Sequence, residues 1–198
     1  MLHAGVVALQ GDVSEHVAAI ERCVRYLEVK GEVSLVRRKG EVPRLDALVL
    51  PGGESTTISR LMRSKGIDAE VVAFAERGGA IMGTCAGAIL LANEGDEQVR
   101  RTSTRLLGLM DMKVSRNAFG RQRESFEVDL DICGLDPPYM GVFIRAPSID
   151  RVRGECRALA RFEDRIVMAR QKNLMALTFH PELTEDTRVH EMFLRTII

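Results

Sequence analysis

The segment Gly83-Thr84-Cys85-Ala86-Gly87 places a nucleophilic residue between two glycines, with one residue intervening on each side. It lies where an apolar strand-like run, 79–83, meets a helical run, 86–92. A nucleophile on a sharp strand-to-helix turn stands out at the carboxyl end of its strand, and side chains on the flanking positions would collide with neighbouring backbone. The helix that starts after the turn aims its free N–H groups and positive dipole end at the sulfur. Both features favour thiolate, the reactive form of cysteine. Cys85 is therefore the candidate nucleophile, with a small buried cysteine as the alternative. Cys23 sits in a helical stretch, and Cys133 and Cys156 have no comparable context, so these three read as ordinary cysteines.

A cysteine nucleophile needs a base, and the chain has four histidines. His3 starts the first strand-like run, and His16 and His190 lie in amphipathic helical patterns. His180 ends the apolar run 174–179 and opens His180-Pro181-Glu182. The proline biases His180 to extended backbone, and strand ends are where sites form in open α/β sheets. Two residues on, Glu182 is expected to project to the same side and to accept the second imidazole N–H, as the acid of a triad does. A solvated strand end is the alternative. Pro51-Gly52-Gly53-Glu54-Ser55 follows another apolar run, 47–50, and its adjacent glycines allow backbone N–H groups to approach a ligand. An oxyanion hole needs two such donors, one of them normally from the residue after the nucleophile, here Ala86. An ordinary β–α turn would favour the same glycines. Arg116, at the head of the basic run 116–123, and Arg145, after Phe143-Ile144, could each supply a guanidinium for a carboxylate or simply face solvent. No zinc spacing, phosphate loop or dinucleotide fingerprint is present, so neither a metal nor an organic cofactor is expected.

These residues must be positioned by a sheet. Strand-like runs at 4–9, 33–36, 47–50 and 79–83 alternate with helical patterns at 13–29, 56–64, 68–77 and 86–92. Such alternation, with strands apolar throughout, implies an α/β fold: three layers, with an open and mostly parallel sheet covered by helices on both faces. After residue 105 the runs crowd together (109–114, 125–130, 141–145, 157–161, 166–169, 175–179), which indicates a mixed or antiparallel extension late in the chain. Residues 94–105 read as loop, and 184–197 as a closing helix. The whole chain, 1–198, is expected to form one domain.

With 28 Lys plus Arg against 28 Asp plus Glu, the formal charge is zero, which argues against nucleic acid as a partner. No apolar run is long enough to span a membrane. Four scattered cysteines in a chain able to build its own core point to the cytoplasm.

Three of these segments together resemble the class I glutamine amidotransferases: Pro51–Ser55, Gly83–Gly87 and His180-Pro181-Glu182. Together with Leu9-Gln10-Gly11, Thr56-Thr57, Arg116-Asn117 with Phe119–Gln122, Ser125-Phe126-Glu127, Gly141–Pro147 and Leu183-Thr184 they resemble the glutaminase-subunit family of pyridoxal 5′-phosphate synthases, and the Arg116 and Phe143–Pro147 segments are what narrow the resemblance to it. The likeness runs from about residue 5 to 195, and 94–105 carries no recognisable family pattern. The resemblance implies a flavodoxin-like core and a cofactor-free glutaminase with Cys85 as nucleophile, His180 as acid–base and Glu182 as its orienting partner. By matched position it implies that Gly53, Glu54, Ser55, Arg116, Ile144 and Arg145 bind L-glutamine, and that the backbone at Gly53 and Ala86 forms the oxyanion hole. It further implies that the ammonia passes to a (β/α)₈-barrel synthase subunit in a large hetero-oligomer. Three rivals remain at this level: a glutaminase serving another synthase, a cysteine peptidase or related hydrolase, and an inactive flavodoxin-like binding module.

Overall fold

The computed structural model describes residues 1–116 and 125–198. From its amino end the chain runs β1 (Leu2–Val7), α1 (Val13–Tyr26), β2 (Gly31–Val36), β3 (Ala47–Leu50), α2 (Ser55–Ser64), α3 (Ile67–Glu76), β4 (Ala80–Thr84) and α4 (Ala86–Leu91). It continues with β5 (Ala92–Gly95), α5 (Glu97–Arg101), β6 (Met110–Ser115), β7 (Ser125–Leu130), β8 (Tyr139–Ile144), β9 (Ser148–Val152), β10 (Arg157–Phe162), β11 (Arg165–Gln171), β12 (Leu174–Leu177) and α6 (Arg188–Leu194).

Among the described residues the main sheet has the order β2-β1-β3-β4-β12-β11-β9-β6-β5, with β10 paired to β11. The first five strands in that order are parallel throughout. Their arrangement is the doubly wound, flavodoxin-like one, whose ligands sit beyond the carboxyl ends of the strands. Its fifth strand, β12, arrives only after a long excursion. That excursion builds the mixed half of the sheet: β11 is antiparallel to β12, β10 and β9, β9 is antiparallel to β6, and β5 lies parallel to β6. β7 and β8 form a separate antiparallel hairpin.

Apart from the edge strand β2, both faces of the parallel strands are apolar, and side-chain alternation divides them between two cores. Leu48, Leu50, Ile81 and Ala176 face Ile58, Met62, Val71 and Phe74 of α2 and α3, together with α4. Ala47, Val49, Met82, Met175 and Leu177 face Ile20, Cys23 and Val24 of α1 and Val189 and Phe193 of α6. The second core extends under the hairpin, where Phe126 stacks on Phe143 with ring centroids 4.7 Å apart.

The α/β class, the helices on both faces and the mixed late extension are as the sequence implied. Four details differ. Residues 94–105 are not a loop: they carry the end of β5 and all of α5, which Asp96 caps by accepting from Val99 N–H at 2.8 Å. β9 lay unread because Ser148-Ile149-Asp150-Arg151-Val152 mixes charge into its alternation. The closing helix is shorter than 184–197, since a 3₁₀ turn at Pro181–Leu183 precedes an α6 that starts only at Arg188. Finally, β12 belongs to the parallel core rather than to the extension, because an apolar run does not declare which strand it pairs with.

The elbow itself is sterically determined. A Cβ on Gly87 would lie 2.0 Å from the Leu50 carbonyl oxygen of β3, and one on Gly83 would lie 2.6 Å from Gly87 backbone. Gly87→Ala is therefore expected to destabilise the chain by about 1–3 kcal/mol. Urea unfolding should show a lower midpoint, and an unchanged midpoint would mean that the elbow tolerates a methyl group there.

Candidate active site

β4 and β12 lie side by side and parallel, with Thr84 opposite Leu177, so the chain leaves both strands at the same edge. The Cys85 N–H donates to the Leu177 carbonyl at 2.8 Å and thereby fastens Cys85 to the neighbouring strand. Cys85 has φ 48° and ψ −103°, a left-handed conformation for a residue with a side chain. Such strain persists only where its surroundings over-determine it, and it clusters at functional sites. The Cys85 carbonyl accepts the Ile89 N–H at 3.2 Å, so α4 begins directly after Cys85.

His180 follows β12 by three residues, and its own N–H donates to the Val142 carbonyl of β8 at 2.8 Å. Its Nδ1 lies 2.7 Å from Glu182 Oε1. The contact is made around the 3₁₀ turn Pro181–Leu183 and not along extended backbone as expected, because Pro181 takes the first position of that turn. The second ring nitrogen, Nε2, is buried and has no hydrogen-bond partner among the described residues. Burial alone would lower the imidazole pKa, but the interactions with Cys85 and Glu182 outweigh it and raise the value to about 10. Glu182 itself is pushed upward by burial, against the hydrogen bond from His180. The other buried cysteines are held as thiols: burial drives Cys23 to about 12 and Cys156 to about 11.

A pocket of about 900 Å³ opens over Cys85 and His180. Every pocket residue expected from the sequence lines it: Gly53, Glu54, Ser55, Ala86, Arg116, Ile144 and Arg145. The N–H groups of Gly53 and Ala86 have no acceptor among the described residues. Gly53 (φ 134°) has room for no side chain, since a Cβ there would lie 2.6 Å from Gln10 Oε1. Gln10 Oε1 also accepts the Glu54 N–H at 2.7 Å, which ties the loop after β1 to the loop after β3. The Ser55 hydroxyl is buried and has no hydrogen-bond partner among the described residues.

Two cations flank the pocket. Arg145 is exposed, has φ 42°, and makes no hydrogen bond or ion pair with a described residue. Arg116 is held firmly: it pairs with Glu54 Oε1, donates to Thr56 Oγ1 at 3.2 Å, and its backbone N–H donates to Asp96 Oδ2 at 2.9 Å. Glu54 also caps α2, accepting from Thr56 N–H at 3.1 Å and Thr57 N–H at 2.7 Å. Burial would raise the Glu54 pKa, but the hydrogen bonds from Thr57, Thr56 and Arg116 hold it down at about 2.

Profile comparison decides the family. The family described as SNO glutamine amidotransferase matches residues 6–198. The chain belongs to this family.

A protein of Archaeoglobus fulgidus named pyridoxal 5′-phosphate synthase subunit PdxT is 57% identical over 198 residues, 98% of each chain. One of the same name from Methanosarcina barkeri is 53% identical over 98% of this chain and 96% of its own. A crystal structure described as a glutamine amidotransferase superposes with a TM-score of 0.88 at 47% identity, covering 98% of both chains.

In this SNO-family chain the segment 94–105, which carries no recognisable family pattern, reaches the site: Gln98 and Thr102 line the pocket, and Asp96 and Thr102 bind Arg116. Their long-range partners left no local signal. The segment 117–124, which includes Asn117 and Phe119–Gln122 of the sequence resemblance, lies outside the described residues. Asp12 went unread. It stands at the N-cap of α1 without capping it, although an aspartate there is worth about 1 kcal/mol as a cap. Its Oδ2 lies instead 3.6 Å from His180 Nδ1. Asp12, His180 and Glu182 bring ligand-type atoms within 4.8 Å of one another. His180 Nδ1 and Glu182 Oε1 are already committed to each other, so the trio is an imidazole between two carboxylates rather than a cation site.

Because the folded-state pKa of Glu54 lies below its ordinary value of 4.5, its contribution to stability is complete above pH 4.5 and is lost as the pH falls toward about 2. Glu54→Gln should therefore flatten the acid limb of a melting-temperature profile between those values, by somewhat less than one proton taken up on unfolding, since the carboxylate is partly solvated. An acid limb identical to that of the parent chain would show that the cap and the Arg116 pair do not hold this carboxylate ionised.

Proposed function

We propose that the chain hydrolyses L-glutamine to L-glutamate and ammonia as the glutaminase subunit of a pyridoxal 5′-phosphate synthase, through Cys85, His180 and Glu182. The observation that carries this reading is the strained Cys85 elbow beside a His180 whose far nitrogen is bound to Glu182. Family membership and the names of the relatives support the substrate and the assembly.

In this reading Cys85, as thiolate beside the His180 imidazolium, attacks the side-chain amide carbon of glutamine. The developing oxyanion takes hydrogen bonds from the N–H groups of Gly53 and Ala86, a contribution worth about 100–1,000-fold in rate per donor. As the C–N bond breaks, His180 gives its proton to the departing nitrogen and ammonia leaves a γ-glutamyl thioester. Water then attacks the thioester, His180 takes its proton, and glutamate departs as the sulfur regains its electron pair. Glu182 keeps the imidazole oriented through both half-reactions. Arg116 and Arg145 offer guanidinium groups to the α-carboxylate, Glu54 offers a carboxylate to the α-ammonium, and Ser55 and Ile144 complete the wall. The balanced reaction consumes only glutamine and water, so it calls on no metal ion or cofactor.

The ammonia would pass to a synthase partner with a (β/α)₈ barrel in a large hetero-oligomer, in the cytoplasm. Among the described residues no helix is long and apolar enough to cross a membrane. Glutamate release should rise strongly when the matching synthase subunit is added. Equal release with and without that subunit would count against the assignment to this synthase, and no release in either case would count against the glutaminase. Cys85→Ala should bind the partner as the parent chain does and release no glutamate; activity retained in that variant would overturn the nucleophile assignment.

A further inference from the structure

α1 carries a histidine that its sequence pattern marks as an ordinary residue of an amphipathic helix. His16 is in fact fully buried. Its Nε2 lies 2.9 Å from Thr84 Oγ1 and 3.4 Å from Glu182 Oε1. That same Glu182 oxygen is the one 2.7 Å from His180 Nδ1. A single nitrogen of α1 therefore touches the residue before the nucleophile and the acid of the triad at once, across the junction of β4 and β12.

We propose that His16 is a positioning residue: as a neutral imidazole it shares its Nε2–H between Thr84 and Glu182, fixing the carboxylate that orients His180. The side chain of Glu182 is wholly buried, and an isolated buried carboxylate is costly unless donors stabilise its charge. Its Oε2 has no hydrogen-bond partner among the described residues; Oε1 lies 2.7 Å from His180 Nδ1 and 3.4 Å from His16 Nε2, and the backbone N–H of Glu182 adds to the stabilisation of the charge. Burial holds His16 well below the ordinary histidine pKa, with His190 and His180 adding to the effect. A neutral ring keeps one N–H to donate and brings no second positive charge into competition with His180. His190 is also held neutral, pushed by burial to about 4. The groups facing His180 are Cys85, Glu182, Asp12 and His16, and those facing His16 are Glu182, His190 and His180.

The inference rests on the glutaminase reading, and its test keeps the two apart. The full chain in complex with its synthase partner would be compared with His16→Leu, His16→Gln and His16→Asn. Glutamate release would be followed alongside the pH dependence of iodoacetamide alkylation at Cys85. Losing a hydrogen bond to a charged group predicts that His16→Leu lowers kcat by about 10–100-fold while KM stays within about twofold. It should also move the alkaline end of the alkylation profile to lower pH, because a less firmly ionised Glu182 supports the His180 imidazolium less. His16→Gln can place an N–H near the position of Nε2 and should restore most of the profile, whereas the shorter His16→Asn should not. The Gln and Asn pair keeps the test decisive if the leucine variant does not fold. An alkylation profile indifferent to residue 16, or equal profiles for Gln and Asn, would overturn the inference. Failure of the glutaminase reading would appear separately, as a parent chain that releases no glutamate.

Discussion

The parallel pairing of β4 with β12 is the constraint on which the site depends. Residues 85 and 180 are far apart in the chain, and nothing local brings them together. The ladder from Leu174–Ile81 to Leu177–Thr84 sets both strands to end at one edge. The hydrogen bond from Cys85 N–H to the Leu177 carbonyl then locks the elbow onto the strand that delivers the imidazole. Everything between α4 and β12 is, from the standpoint of the site, a detour that must return its end to this register. The detour contributes as it goes: β8 anchors the His180 backbone, the end of β6 delivers Arg116, and α5 supplies the cap residue that holds the Arg116 N–H.

A web of polar contacts is laid over this scaffold, and it divides by burial. On the inner side, His16, Glu182 and His180 are closed off from water, where each donor to a carboxylate counts for more than it would at the surface. On the outer side, Glu54, Arg116 and the hydroxyls of Thr56, Thr102 and Thr104 form a partly solvated mesh, with Thr104 Oγ1 2.7 Å from Thr56 Oγ1 and 2.9 Å from Thr102 Oγ1. In the proposed reaction the inner set would hold the protonation of the reacting groups, and the outer set lines the end of the pocket where a charged ligand would be held. Asp12 lies at the boundary, half exposed and beside the imidazole.

What was legible in the sequence was what short segments encode. The glycines at 83 and 87 announced a turn that no side chain could enter, and the close approach of Leu50 backbone to Gly87 and of Gly87 backbone to Gly83 enforces it. The Pro181 dipeptide announced a break after the strand, although the turn it makes is 3₁₀ and not extended. The illegible residues have ordinary local surroundings and unusual distant ones. His16 sits in an unremarkable amphipathic helix, and its character comes from Thr84 and Glu182. Thr102 and Asp96 sit in a charged stretch whose composition reads as loop, and their importance comes from Arg116. β12 looked like one more strand of a crowded region, because hydrophobicity specifies burial without naming a partner. Period and motif reveal elements and chemistry; long-range register decides which of them meet.

The central claim is that covalent chemistry occurs at Cys85 because β4 and β12 bring it to His180. The most direct measurement is acid quenching of the partner-bound chain during turnover of glutamine, followed by mass spectrometry of its cysteine-containing peptides. The expected result is a γ-glutamyl adduct on the peptide carrying Cys85, and none on those carrying Cys23, Cys133 or Cys156. An adduct on one of the other three cysteines, or continued turnover after Cys85 alone has been alkylated, would contradict it.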